Sequence, residues 1–175
     1  MSWTMAEAVA DNVMAYIGTA QVAKLADVVA RYAAPALPMP AFVAVRHSDP
    51  DQEREPEFPV LYVVPTDSAL EPGPGGFRRG VIVDHRFAFF VVVSYPGTAS
   101  ETPAESVARL TKRYVVAVLE MLAEYWNGTT RTEEWGTGEG GIRVSYDPIA
   151  RVSSGAEYLG SATIEIGCQV HEGAL

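Results

Sequence analysis

Few residues in this chain are suited to chemistry, and they stand far apart. The histidines are His47, His85 and His171, and the only cysteine is Cys168. A zinc or transition-metal centre needs several such ligands at short, regular spacing, and these residues do not supply it. His47, Asp49 and Asp51 imitate the opening of a hard-metal loop. The turn glycine and closing glutamate of a calcium hand are missing, so the segment reads as a solvated acidic loop. His85 falls on the inward register of a long apolar strand and reads as a hydrogen-bonded structural histidine. Its neighbours Asp84 and Arg86 point to the other face and read as cross-strand ion-pair formers. The glycine-rich stretches 73–76 (GPGG) and 136–141 (GTGEGG) are not followed by Lys-Ser/Thr. Neither opens a helix after a buried strand, so neither is a phosphate loop or dinucleotide fingerprint. Ser153-Ser154-Gly155 lacks the frame of a nucleophile elbow. Cys168 lies on an inward register and reads as an inert buried thiol. The expectation is a protein with no catalytic residue, no metal and no cofactor.

Other residues point to contact rather than catalysis. Trp135 sits among Gly, Thr and Glu, where nothing local can bury it, and an exposed tryptophan is a common interface anchor. Phe77 beside Arg78 and Arg79 has the aromatic-plus-arginine composition of an interface. Phe90 and Val92 give the second half of the long strand a second apolar face. These six residues are the candidate surface for oligomer or partner contacts.

Composition bounds the rest. The chain has 175 residues and 48% hydrophobic content, enough for one domain with a real core. Its 13 basic and 22 acidic residues give a formal charge of −9. That opposes tight binding to nucleic acid, whose affinity comes largely from cations on phosphates. It suits a non-sticky wall past which nucleic acid moves. A lone cysteine allows no intrachain disulfide. The first residues carry Glu7 and Asp11 and no basic stretch, so they do not read as a secretion signal. The longest fully apolar run, residues 87–93, is far short of a membrane span. Asn127-Gly128-Thr129 fits a glycosylation sequon but reads as a turn.

The positioning elements follow from periodicity. Thr4 and Glu7 make a capping box. Met5, Val9, Val13 and Ile17 form one stripe, and Val22, Leu25, Val29 and Tyr32 form another about 160° away. Two helices, 5–17 and 20–33, separated at Gly18-Thr19 satisfy both stripes. One long helix sandwiched between subunits is the alternative. Prolines at 35, 38 and 40 end this segment. Residues 41–46 and 58–64 read as short strands, with a charged loop at 47–57. Residues 67–79 read as a loop of turn-forming types. Residues 80–95 (GVIVDHRFAFFVVVSY) read as one strand, with Val81, Val83, Phe87, Phe89, Val91, Val93 and Tyr95 on a single face. Its length is about three times the usual 5–6 residues, so its end is expected to reach another subunit. Thr102-Pro103-Ala104-Glu105 opens a helix over 103–126. Val107, Leu110, Tyr114, Val118, Met121, Leu122 and Tyr125 form its inward stripe, and Arg109, Arg113, Glu120 and Glu124 its wet face. Residues 127–141 read as a flexible loop, 142–146 as a strand and 161–170 as a half-buried terminal strand. The sum is a single α+β domain, 1–175. Its helical segment is 5–33. An antiparallel sheet of about four strands, with helices on one face, fills 41–175.

This order of elements resembles the tail terminator (tail-completion) proteins of long-tailed bacteriophages. The resemblance is carried by the N-terminal helix, FPVLYVVP at 58–65, the long strand ending FFVVVSYP at 89–96, the linker GTASETPAES, the helix RLTKRYVVAVLEMLAEY and two closing strands. It implies a structural virion protein at the tail–head junction, assembled in the host cytoplasm. The chain would form a ring of identical copies, a hexamer, that caps the tail tube. Its partners would be the tail tube protein and the head–tail connector protein. DNA would pass through the bore without specific binding, and no membrane would be involved. The competing reading is a ligand-binding or enzymatic α+β domain. Its pocket would lie between helix 103–126 and the sheet, with His85, Asp84 and Tyr114 as polar groups.

Overall fold

The computed structural model describes residues 6–32, 34–47, 57–74, 80–96, 103–128, 133–136, 141–151 and 157–173. Outside them fall Thr4 and Met5, the loop at 48–56, Phe77, Arg78 and Arg79, the cap Thr102, and Ser153, Ser154 and Gly155. The elements in chain order are α1 (Ala6–Arg31), β1 (Ala44–Arg46), β2 (Val60–Pro72), β3 (Gly80–Pro96), α2 (Pro103–Gly128), β4 (Glu133–Trp135), β5 (Arg143–Tyr146), β6 (Ala150–Arg151) and β7 (Glu157–Gly173). The architecture is α+β: two long helices and a strongly curled five-strand sheet, a half-barrel, with minor strands beside it.

The expected sheet of about four antiparallel strands needs correction. The strand order is β1-β2-β3-β7-β4, with β5 and β6 also paired to β7. The sheet is mixed, because β1 runs parallel to β2 over Ala44–Arg46. The long strand at 80–95 is present as β3. It pairs with β7 without a break, from Gly80↔Gly173 to Pro96↔Glu157. At roughly 3.3 Å per residue, its 17 residues span about 55 Å.

Two expected loops are partly strand. β2 does not stop near Val64 but continues to Pro72, paired with β3 through Pro72↔Val81. A register shift between Pro65 and Asp67 lets the strand pass a proline by inserting Thr66 as an extra residue. Gly73 closes the hairpin: its N–H donates to the Gly80 carbonyl at 3.0 Å. Within the expected loop 127–141, Glu133–Trp135 forms β4 against Glu133↔Val170 and Trp135↔Cys168 of β7.

Alternation along β3 puts Val83, His85, Phe87, Phe89, Val91 and Val93 on the buried inner face. α2 covers this face with Val107, Leu110, Tyr114, Val118, Met121 and Leu122, the stripe read from the sequence. Arg113, expected on the wet face, is buried instead. Its Nη2 donates to the Pro35 carbonyl at 3.0 Å, and its guanidinium stands 5.7 Å from the Tyr32 ring centroid. A cation there suits the C-terminal end of α1, where carbonyls lack helical partners.

α1 is one helix, not two. The buried stripe Val9, Val13, Ile17 continues through Gln21 to Leu25 and Val28, at steps of three and four. Gln21 joins the two apolar runs, and its burial is satisfied. Its Oε1 accepts the Phe42 N–H at 2.8 Å and its Nε2 donates to the Gly18 carbonyl at 3.4 Å. Val22 and Tyr32, half of the expected second stripe, face outward, at 67% and 43% exposure. By length and composition α1 could cross a membrane, with mean hydropathy 1.3 over its best 18 residues.

Candidate functional site

The sheet's far end, where β2 and β3 form their hairpin, is the part that the helices leave least covered. β2 is buried from Val60 to Val63 and exposed from Thr66 to Pro72. The inner face here still packs. Ser68, His85, Cys168 and Trp135 stand in one row across β2, β3, β7 and β4. His85 is 3% exposed, and its Nδ1 shares a 2.8 Å hydrogen bond with Ser68 Oγ. Cys168 beside it is buried, as expected. Burial, and then the carboxylates of Glu133 and Asp84, push its thiol well above the usual range. Such a thiol is a poor nucleophile.

Trp135 is placed by its own domain. Its ring stacks on Trp126 with centroids 5.9 Å apart and 16° between planes. It also meets Phe87 at 5.4 Å and the edge of Tyr125 at 6.2 Å. The premise that nothing local buries it is therefore corrected. The sequence shows a lone tryptophan among turn residues, but β4 draws it under the end of α2. Phe90 and Val92 stand on the outer face of β3, opposite Tyr62 and Val60 of β2, and are half-buried.

The polar trio of the ligand-pocket reading is not assembled. Tyr114 is fully buried and donates to the Pro40 carbonyl at 2.5 Å, and burial raises its phenol pKa. His85 bonds Ser68 on the inner face, while Asp84 points to the outer face. Among the described residues, a large concavity lies on that outer face rather than under α2. It is a groove of about 880 Å³ beside the β2 bulge, lined by Asp67, Glu71, Asp84, Arg86, Arg143 and Glu165 among others. Among the described residues, Asp84 and Arg86 form no cross-strand ion pair.

Two backbone edges complete this region. β1 pairs only with Val60–Tyr62 of β2, so among the described residues no strand covers the outer edge of β2 beyond them. On the other side, β5 pairs with β7, and among the described residues no strand pairs with its second edge. Leu70 of β2 is 57% exposed, and Ile142 and Tyr146 at β5 are 45% and 48% exposed. The sequence reading missed these edge residues. Pro65, Asp67 and Gly73 look like loop chemistry, and a four-residue strand carries little periodic signal. Comparison with models of protein families and with curated proteins finds no match.

Proposed function

We propose that the chain is a structural virion protein, the tail terminator of a long-tailed bacteriophage. It assembles into a ring, a hexamer, on the end of the tail tube and joins the tube to the head connector. DNA passes through the bore. The observation that carries this reading is the sheet itself. β3 and β7 pair over 17 residues each, and β2 follows them to the hairpin end with its last seven residues exposed. A single small domain needs no such span, whereas a subunit that must meet neighbours does. The order of elements and the net charge of −9 support the same reading, since an acidic bore repels DNA phosphates.

Light scattering and negative-stain images of the purified chain, alone and with polymerising tube protein, test it. A ring that caps one tube end and stops its growth is the expected result. A chain that stays monomeric at high concentration and ignores tube ends overturns the reading. The outer-face groove favours a second reading, a ligand-binding domain. A monomer or dimer whose melting temperature rises with a small polar ligand would select it.

A further inference from the structure

We propose that neighbouring copies join by strand addition, the outer edge of β2 in one copy pairing with the outer edge of β5 in the next. This rests on the ring reading above and names the contact that closes the ring. A free strand edge exposes backbone donors and acceptors that another strand satisfies. The edge of β2 beyond Tyr62 and the edge of β5 lie on opposite sides of the same sheet. Contacts between two different patches of one chain are heterologous, and these generate rings when the rotation closes.

Strand sense agrees. β2 is antiparallel to β3, β3 to β7, and β7 to β5, so β5 runs opposite to β2. Rotation about an axis along the strands preserves that sense, and the neighbour's β5 arrives antiparallel to β2. The faces also agree. Asp67 and Glu71 share the outer face, opposite Arg86 and Ile82. Arg143, opposite Glu165, is on that face too. On the inner face, the register that sets Arg143 between Asp67 and Glu71 brings Leu70 opposite Ile142, two of the large apolar side chains that the single chain leaves exposed.

Charge selects β5 over β4. β4 carries Glu134 on the outer face and would set it against Asp67 and Glu71, like charges that destabilise cross-strand pairs. β5 offers Arg143 instead. Arg143 lies level with Val64, through Glu165 and Ala88, a few residues short of Asp67 and Glu71. The tilt of strands in a closed sheet provides stagger of this kind.

The experiment has three arms, each read by light scattering with folding checked by circular dichroism. Asp67→Lys/Glu71→Lys in one chain, and Arg143→Glu in another, should each raise the concentration needed for assembly at least tenfold. The three changes combined should restore it. Wild-type amide exchange gives an arm without substitutions: the amides of residues 66–71 that point away from β3 should become protected in the ring and remain open in the dilute chain. If wild-type protein never assembles, the ring reading falls and this contact falls with it. If rings form while the reversals have no effect, the combination fails to restore assembly, or the outward amides of residues 66–71 stay open, strand addition is wrong and the ring reading stands.

Discussion

At the scale of single residues, two positions separate packing from assembly. Trp135 touches three aromatic rings, and its Nε1 donates to Glu133 Oε2 at 3.3 Å, so it holds β4 to the end of α2. Trp135→Ala should cost the isolated chain about 2–4 kcal/mol, below the roughly 3–5 kcal/mol of a fully buried aromatic, because the residue is only partly buried. Urea melts of the monomer measure this, and an unchanged midpoint would show that Trp135 does not hold the isolated fold. Gly160 tests the opposite error, overpacking. A Cβ there would stand 2.3 Å from Thr111 Oγ1 and 3.4 Å from a Val107 methyl. Thr111 is itself held, donating to the Val107 carbonyl at 2.8 Å. Gly160→Ala should therefore destabilise by about 1–3 kcal/mol. Thr111→Ala in the same chain should recover part of the loss, as expected when two changes share one contact.

At the scale of elements, α1 and α2 are tied along their outer rims. Lys24 reaches Glu120 and Glu124, and Arg31 forms a two-pronged pair with Glu120 at 2.8 and 2.7 Å. The Arg31 hydrogen bond comes first among the causes that lower the Glu120 pKa from its usual 4.5. A carboxylate whose folded pKa is depressed stabilises the fold above its unfolded value. That contribution begins to fade as pH falls below about 4.5 and is gone below the folded value. The group is partly exposed, so salt weakens the effect. Glu120→Gln should flatten the acid limb of a melting-temperature profile between about pH 5 and 3, and a profile identical to wild type would show that the pair contributes nothing. How much was legible in the sequence also divides by element. α2 was readable because one stripe and a Pro103 start agree, and β3 because its apolar face alternates over its whole length. α1 was misread because Gln21 looks like a break in a stripe. Only the tertiary bond from Phe42 N–H makes a buried glutamine acceptable there. β4 and the far half of β2 were hidden because long-range pairing, not local propensity, makes them strands.

At the scale of the whole molecule, each copy carries −9, and a ring of identical copies must overcome the repulsion among them. That repulsion acts over the dimensions of the ring, while the proposed attraction of Arg143 for Asp67 and Glu71 acts across one strand spacing. The two therefore respond differently to salt. The Debye length falls from about 30 Å at 0.01 M to about 8 Å at 0.15 M. The long-range term is lost over this interval, while pairs a few ångströms apart keep most of their interaction. Backbone pairing and the meeting of Leu70 with Ile142 are not weakened by screening at all. Assembly should accordingly strengthen as salt rises from 0.01 to 0.15 M and then change little. Sedimentation at fixed protein concentration across that range measures it. Leu70→Ser separates this from a general salt effect on the fold. Leu70 is mostly exposed in the single chain, so its loss should leave the melt within about 0.5 kcal/mol of wild type. The same substitution should raise the assembly concentration at every salt. Assembly that weakens steadily with salt would mean that exposed ion pairs dominate the contact, and Leu70→Ser rings indistinguishable from wild type would place the apolar contact elsewhere on the chain.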